Sequence, residues 1–280
     1  NFIDTADVYS DGLSEAAVGR VVRARRERVY VATKCGRRIQ PHVNSGYQPS
    51  VLRGFVEDSL RNSGLETIDL IQLHCPPTEV YYRPEIFSLF DDLKKEGKIQ
   101  NLGVSVEKVE EALKAIQFDN VSTVQIIFNM FRQRPSGLFF REAKAKDIGI
   151  IARVPLASGL LTGKFSRTTT FAEGDHRNFN REGKAFDKGE TFSGIDYESG
   201  LAAVERLRAV FPDTPALATI ALRWILMFPE VSCTIPGAST LDQLQSNLRA
   251  SSQPELTAHQ MEKIRDIYDE QIRPLVHQLW

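Results

Sequence analysis

Residues 1–12, NFIDTADVYSDG, are the stretch from which the rest of the chain is interpreted. Phe2 and Ile3 predict a short buried strand, and Asp4 follows at its carboxyl end. Tyr9 comes five residues later, just before a Ser-Asp-Gly turn signal. The acid and the phenol either face one pocket, or Asp4 caps a helix and Tyr9 lies on the surface. The strands that follow must distinguish these two interpretations.

The composition is ordinary for a globular protein, with 42% hydrophobic and 25% charged residues among 280. The formal net charge of −1 gives no field of one sign that favours nucleic acid or a membrane surface. The three cysteines, Cys35, Cys75 and Cys233, lack metal-type spacing and favour a reduced, cytoplasmic setting. No apolar run approaches the ~20 residues that span a bilayer. We therefore expect a cytoplasmic protein with no nucleic-acid partner, no membrane partner and no metal.

Strand-like and helix-like segments alternate along the chain with short connections, the pattern of a parallel sheet covered by helices. The predicted strands are 2–3, 28–33, 68–73, 99–104, 124–128, 149–154 and 231–235. The predicted helices are 14–25, 49–62, 84–96, 108–116, 137–146, 196–211, 215–227, 241–250 and 257–272. A closed (β/α)8 barrel needs eight strands. We therefore predict one TIM-type (β/α)8 barrel domain over residues 1–280, with seven strands readable and the first βα unit absent from this chain.

Two features qualify this prediction. Residues 155–196 interrupt the alternation with a long loop that looks too polar to pack as core, and such loops are usually functional or disordered. If the first βα unit is missing, the strand that bears Asp4 becomes an exposed edge. The sequence then predicts a fragment that is poorly soluble or inactive.

Titratable side chains lie at the carboxyl ends of three successive predicted strands, where active sites of parallel barrels are built. These are Asp4, Lys34 and His74, with Tyr9 in the first loop. An ammonium favours the phenolate, an aspartate holds the ammonium, and an imidazole orients a carbonyl oxygen. Each residue alone is readily explained by structure. The set predicts a proton donor for the alkoxide that forms when a carbonyl accepts hydride.

The motifs that carry these residues are FIDTADVY, VATK and DLIQLH, and further along GVS, PLASGLLTGK and IPGA. As a set they make the sequence resemble the aldo-keto reductases. The EGDHRN stretch is most similar to bacterial-type members near the inositol-related reductases. The resemblance implies a barrel, monomeric or a weak homo-oligomer, that binds NADP(H) without a Rossmann fold, with NAD(H) as the second choice.

The resemblance also implies a reaction and its residues. An aldehyde or ketone, including a sugar-like one, is reduced to the alcohol with hydride from the nicotinamide. Tyr9 is the general acid, Lys34 and Asp4 tune it, and His74 orients the substrate. The implied contacts of the carboxamide are Ser105 and Gln125. The implied contacts of the rest of the cofactor are Arg153, Leu156, Ser158, Leu160, Lys164, Arg177, Gly237, Ala238, Ser239, Gln243 and Asn247.

Two departures from the family pattern lead to separate hypotheses. Arg153 stands where an aromatic residue often lies under the nicotinamide. It either stacks on the ring and favours the reduced cofactor, because the oxidised ring is cationic, or it is a salt-bridged structural residue. Ser239 and Thr240 stand where a cation often meets the 2′-phosphate, and Arg177 is the candidate replacement.

Two other function classes remain open from the sequence. One is a non-catalytic or regulatory cofactor-binding subunit, as among the potassium-channel β subunits that share the resemblance. The other is a barrel lyase that uses Lys34 as a Schiff-base nucleophile. The substrate, the cofactor preference and the oligomeric state are not determined by the sequence.

Overall fold

The computed structural model describes residues 1–213 and 216–280, and the chain divides into two compact units. The first unit consists of Asn1–Val106, Glu110–Gln125 and Ala145–Ile148. The second consists of Glu107–Val109, Ile126–Lys144 and Gly149–Trp280. One of the boundaries along the chain falls within the fifth strand, between Gln125 and Ile126.

The first unit contains the strands that carry the predicted catalytic residues. Its strands are β1 Phe2–Asp4, β2 Tyr30–Cys35, β3 Ile68–His74, β4 Ile99–Val106 and the first five residues of β5 Val121–Ile127. Its helices are α1 Leu13–Arg23, α2 Pro49–Ser63, α3 Pro84–Lys95 and nearly all of α4 Val109–Ala115. Pro49 and Pro84 occupy first helical turns, where a missing N–H costs nothing.

The second unit contains the end of β5, the last two strands and the remaining helices. Its further elements are α5 Leu138–Ala145, β6 Gly149–Arg153, α6 His176–Phe179, α7 Tyr197–Val210, α8 Leu217–Ile225, β7 Val231–Thr234, α9 Leu241–Arg249, α10 Ala258–Ile267, a π-helical turn Tyr268–Ile272 and α11 Arg273–Val276. The sheet order in this unit is β5-β6-β7. None of the helices among the described residues is both long and apolar enough to cross a membrane.

The register of the first unit's sheet positions the predicted site. The strand order is β1-β2-β3-β4-β5, and the first three pairings are parallel. Lys34 on β2 lies opposite Gln72 on β3, and His74 lies opposite Ser105 on β4. Because side chains two residues apart in a strand share a face, Gln72 and His74 point to the same side of the sheet. This side carries the polar residues described below.

The predicted strands and helices are confirmed, with their ends shifted by at most three residues, except that the α-helical part of the last helix ends at Ile267 and a π-helical turn continues to Ile272. The strand predicted at 28–33 runs Tyr30–Cys35, so Lys34 lies inside it, and the strand predicted at 124–128 begins at Val121. Of the helix predicted at 215–227, Pro215 lies outside the described residues. The helix predicted at 257–272 starts one residue later, because Thr257 is its N-cap in a capping box with Gln260.

One expectation about the long loop is wrong. The segment 155–196 is not too polar to pack, since Leu160, Phe192 and Asn180 are buried. It contains short helical turns at Ala157–Thr162, His176–Phe179, Lys188–Glu190 and Phe192–Gly194. Composition misled here because a few apolar side chains, spaced through a polar segment, supply the buried face. The side-chain oxygen of the buried Asn180 accepts from the Ala185 and Phe186 N–H groups.

Candidate active site

An ion pair between Asp4 and Lys34 forms the centre of the candidate site. The Lys34 ammonium donates to Asp4 Oδ1, and also to the Thr5 carbonyl at 2.8 Å. The side chains of Lys34 and Asp4 are only 2% and 7% exposed. A buried charge is tolerated when it is paired and hydrogen-bonded, and both conditions are met here.

The second carboxylate oxygen of Asp4 is held by two amides. Gln72 Nε2 donates to Asp4 Oδ2 at 3.1 Å, and Gln125 Nε2 donates to the same atom at 2.8 Å. Gln125 Nε2 also lies 3.2 Å from Gln72 Oε1. These bonds fix the carboxylate from the side opposite Lys34. Strands β1, β2, β3 and β5 thus each contribute one side chain to a single polar layer.

Tyr9 and His74 lie beside this layer. The Lys34 ammonium is 5.1 Å from the centroid of the Tyr9 ring. The Tyr9 and His74 rings meet edge to face, with centroids 6.1 Å apart. His74 is buried, whereas Tyr9 is 44% exposed. The Tyr9 ring is therefore open to contact with a small molecule, whereas Lys34 and Asp4 beneath it are shielded from solvent.

The structure therefore brings Asp4, Tyr9, Lys34 and His74 together, as the strand ends predicted. Of the two residues implied for the carboxamide, Ser105 is buried on β4, with its Oγ 3.5 Å from Cys75 Sγ. Gln125 is buried as well, and its amide nitrogen is directed at Asp4. Their contact with a cofactor remains a prediction.

Two contributors to this cluster were missed by the sequence reasoning. Gln72 carried a signal, since it is the one polar residue of the apolar run between Asp69 and His74 and lies on His74's face. The Thr5 carbonyl carried no signal, because main-chain acceptors are invisible in a sequence. A further buried residue, Asp7, lies between Asp4 and Tyr9 and is only 1% exposed.

Within the second unit, Arg153 is buried and ion-paired. Its Nη2 lies 2.8 Å from Glu107 Oε2, and its Nη1 lies 3.8 Å from Glu190 Oε2. Burial raises the pKa of Glu107 to about 8, and the Arg153 charge opposes that rise. These ion pairs agree with the interpretation of Arg153 as a structural residue. Its guanidinium is held by the carboxyl groups of Glu107 and Glu190, so it is less available to stack on a nicotinamide ring.

The long loop holds several of its predicted cofactor residues in internal contacts. Ser158 Oγ donates to the Glu190 carbonyl at 3.0 Å and accepts from Phe192 N–H at 3.1 Å. Leu160 is buried, so its side chain packs the fold and only its main chain is available to a ligand. Leu156 is partly exposed and Lys164 is exposed.

Arg177 is engaged by its own neighbour. Its Nη2 lies 2.5 Å from Asp175 Oδ2, and its guanidinium lies 4.7 Å from the centroid of the Phe171 ring. The bond to Arg177 lowers the pKa of Asp175 to about 2. A phosphate recruited by Arg177 has to compete with this carboxylate.

The residues assigned to the adenosine end lie at the start of α9. Gly237, Ala238 and Ser239 are exposed. Gln243 Oε1 accepts from Ser239 N–H at 2.8 Å, and Asn247 Nδ2 donates to the Gly237 carbonyl at 3.2 Å. The two amides thus shape the loop that precedes the helix. Exposed main chain before a helix N-terminus, flanked by side-chain amides, fits a nucleotide's polar groups.

Comparison with known proteins gives one family. The model described as "Aldo/keto reductase family" matches residues 1–269. The NADP(+) aldo-keto reductase yakc of Schizosaccharomyces pombe is 26% identical over 260 residues, which cover 89% of this chain and 73% of that protein. The NADH-specific methylglyoxal reductase of Escherichia coli is 26% identical over 272 residues, which cover 89% of this chain and 78% of that protein.

A solved structure supports the same grouping. The glycerol dehydrogenase AKR11B4 from Gluconobacter oxydans is 28% identical in sequence, with a TM-score of 0.75. The superposition covers 97% of this chain and 82% of that chain. The likeness confirms the predicted TIM-type (β/α)8 class. The described residues contain seven strands, labelled β1 to β7 in chain order.

Proposed function

Because this chain belongs to the aldo/keto reductase family and is an NAD(P)-dependent oxidoreductase, we propose that it reduces a small aldehyde or ketone to the alcohol with Tyr9 as the proton donor. The observation that carries the proposal is the buried Asp4–Lys34 pair beneath the half-exposed Tyr9 ring, with His74 at the ring's edge. Few structural roles need an ammonium held so close to an exposed phenol.

The roles follow from charge. A bound nicotinamide cofactor supplies hydride to the carbonyl carbon. The Tyr9 hydroxyl gives its proton to the carbonyl oxygen, so the phenol becomes a phenolate as the alcohol forms. Lys34, 5.1 Å from the ring centroid, offsets that negative charge. Asp4, fixed by Gln72 and Gln125, keeps the ammonium in place. His74 is the group that orients the carbonyl oxygen.

The cofactor choice is the finer part of the proposal. The exposed start of α9 fits the adenosine end, and the resemblance favours NADP(H). Ser239 and Thr240 offer hydroxyls to a 2′-phosphate without a cation, and Arg177 is paired with Asp175. The relatives include one named for NADP(+) and one named as NADH-specific. We propose NADP(H) as the main cofactor with NAD(H) as a weaker one.

The substrate class rests on the relatives' names. One is named for methylglyoxal and one for glycerol, and both compounds are small and carry oxygen on adjacent carbons. We therefore propose a small carbonyl compound with a neighbouring oxygen function, sugar-like compounds included, as the substrate.

The test measures NADPH and NADH oxidation with methylglyoxal, simple aldehydes, ketones and sugars. In Tyr9→Phe we expect turnover to fall by about 10²-fold or more, with cofactor affinity retained, because only the proton donor is removed. Tyr82→Phe is the matched control, since Tyr82 is also exposed and lies outside the cluster. Its turnover should stay at the wild-type level.

Two results would contradict the proposal. Cofactor binding without turnover of any carbonyl in the panel would favour the non-catalytic subunit. Full turnover in Tyr9→Phe would remove Tyr9 as the proton donor. Trapping of substrate on Lys34 by borohydride, without need of nicotinamide, would instead indicate the lyase.

A further inference from the structure

The side chain of Gln72 reaches from β3 across β4 to β5, which are neighbours in that order in the sheet. Gln72 is fully buried, and it lies opposite Gly103 in the pairing of β3 with β4. A Cβ on Gly103 would lie 3.2 Å from Gln72 Cγ, so the glutamine passes over a position that has no side chain. Its Oε1 lies 3.2 Å from Nε2 of Gln125 on β5. Glycine at position 103 therefore leaves room for a direct contact between the two amides.

The Asp4 carboxylate determines how the two amides are oriented. Gln72 and Gln125 each place one end of the amide near Asp4 Oδ2, at 3.1 Å and 2.8 Å. A carboxylate paired with an ammonium only accepts hydrogen bonds, so both of these ends are N–H2 groups. The other N–H of Gln125 then donates to Gln72 Oε1. The reversed Gln125 amide would direct its oxygen at two acceptors, so the observed orientation is strongly preferred.

The hydrogen bonds of Gln125 leave its oxygen as an acceptor for a ligand. Its two N–H groups donate to Asp4 and Gln72, and no group in the described parts of the chain donates to Gln125 Oε1. Ser105 on the neighbouring strand β4 is buried like Gln125 and offers a hydroxyl group. A primary amide carries two N–H donors and one carbonyl acceptor. The Gln125 oxygen and the Ser105 hydroxyl therefore fit the carboxamide of a nicotinamide ring.

We propose that Gln72 is a positioning residue for the nicotinamide, holding the Gln125 amide so that Gln125 Oε1 accepts a hydrogen bond from the carboxamide N–H2 of the cofactor. The inference rests on the proposed function, in which the chain binds a nicotinamide cofactor. The Gln72 amide bonds to Asp4 and Gln125, so Gln72 acts on the cofactor only through Gln125. Without Gln72, one N–H of Gln125 loses its acceptor and the amide is held at Asp4 alone.

This arrangement predicts selectivity for the hydrogen atoms of the carboxamide. The 3-acetylpyridine analogue of NADP+ has a methyl group in place of the N–H2, so it keeps the carbonyl oxygen and lacks both donors. It leaves Gln125 Oε1 without a donor, and a buried acceptor that loses its partner weakens binding. The analogue therefore binds less tightly than NADP+ as long as Gln72 and Gln125 hold their positions.

The experiment measures the Kd of NADP+ and of its 3-acetylpyridine analogue by isothermal titration calorimetry. In Gln72→Met we expect the Kd of NADP+ to rise about 3- to 10-fold, the size of one neutral hydrogen bond, and that of the analogue to change by less than about 2-fold. Adding Gln72→Met to Gln125→Met should change the Kd of NADP+ by less than about 2-fold, because the residue through which Gln72 acts is gone. Gln117→Met is the matched control, since Gln117 is an exposed glutamine, and both Kd values should stay at the wild-type level.

The titrations need no turnover, so they separate this inference from the proposed function. A selective loss of NADP+ affinity in a protein that reduces no carbonyl would contradict the proposed function and support the role of Gln72. Gln72→Asn keeps an amide that is one methylene too short, and it should reproduce the selective loss if Gln72→Met disturbs folding. Equal weakening of both ligands, unchanged Kd values in both Gln72 variants, or a full further loss in the double variant would overturn the inference. A wild-type protein that binds neither ligand would overturn it together with the proposed function.

Discussion

Lys34 on β2 and Asp4 on β1 form an ion pair across neighbouring parallel strands, with side chains almost excluded from solvent. The two partners are not equally supported. Asp4 also accepts from Gln72 and Gln125, whereas Lys34 has the Thr5 carbonyl as its further acceptor. Removing one partner therefore leaves two different residual sites, and this difference can be measured.

We expect Asp4→Leu to lower the free energy of unfolding by about 3–5 kcal/mol, because it leaves a buried ammonium with one main-chain acceptor. Lys34→Met should cost less, since the Asp4 carboxylate keeps two amide donors. Chemical denaturation at pH 7 measures both, with Lys98→Met as the control for a half-buried lysine that pairs with Glu57 at 2.7 Å and Glu96 at 2.9 Å. Equal losses for Asp4→Leu and Lys34→Met would contradict the asymmetry.

The buried Asp7 predicts an unusual dependence of stability on pH. Its pKa is raised from the ordinary 3.8 to about 7 by burial, so the folded state binds the proton more tightly than the unfolded chain. The contribution is fully present below pH 3.8 and is lost as the pH rises through 7. Asp7→Asn should therefore gain stability relative to wild type between pH 4 and pH 8, by at most about 4 kcal/mol. A difference that is constant with pH in denaturant titrations would show that Asp7 has an ordinary pKa.

Two helical glycines predict opposite responses to alanine. A Cβ on Gly19 of α1 would lie 1.8 Å from the Ser63 carbonyl oxygen at the end of α2, so Gly19→Ala must push the helices apart. We expect a loss of about 1–3 kcal/mol. A Cβ on Gly54 of α2 meets nothing within 4 Å, and Gly54→Ala should gain about 0.5–1 kcal/mol. Thermal unfolding of the two variants measures both effects, and a stabilised Gly19→Ala would mean that the two helices are not in close contact.

The sequence predicted that Asp4, Tyr9, Lys34 and His74 lie together because the strand residues among them follow a local rule. Asp4, Lys34 and His74 lie at or next to the carboxyl ends of their strands, and parallel strands bring those ends to one edge. No knowledge of pairing partners was needed for that conclusion. In the structure, Ser105 on β4 lies opposite His74 on β3.

The surroundings of Arg153, Gln125 and Asp7 could not be predicted, because they depend on contacts between residues far apart in the sequence. The pairing of Arg153 with Glu107 joins residues 46 positions apart, and from the sequence alone Arg153 was also open to interpretation as a ring-stacking cation. Gln125 was assigned to a ligand, yet its amide reaches Asp4 across 121 positions. The burial of Asp7 depends on how its loop packs against α1 and β2. The roles of these residues depend on which side chains surround them in the folded chain, and spacing along the sequence does not reveal those neighbours.

The second unit contains a buried guanidinium whose environment depends on Trp280. The Arg132 guanidinium lies 4.0 Å from the centroid of a Trp280 ring, and its Nη1 and Nη2 have no hydrogen-bond partner among the described residues. Burial lowers the pKa of Arg132 to about 9. Trp280 Nε1 donates to Asp187 Oδ1 at 2.8 Å, which also accepts from Gly189 N–H at 2.7 Å. The face of the Trp280 indole therefore packs on the Arg132 guanidinium, and its N–H binds Asp187 of the long loop.

We expect Trp280→Ala to lower the free energy of unfolding by about 3–5 kcal/mol, because it opens a cavity and removes the aromatic face from the Arg132 cation. Trp280→Phe keeps a ring over the guanidinium and loses the bond to Asp187, so it should cost about 1–3 kcal/mol. Leu279→Ala is the matched control, since Leu279 is 48% exposed beside it and should change stability by less than about 0.5 kcal/mol. Urea unfolding with the intrinsic fluorescence of Trp224 as the probe serves all three variants, because Trp224 is buried in α8 and is unchanged in each. If Trp280→Phe were as unstable as Trp280→Ala, the bond to Asp187 would outweigh the aromatic contact, and the guanidinium would not depend on the ring above it.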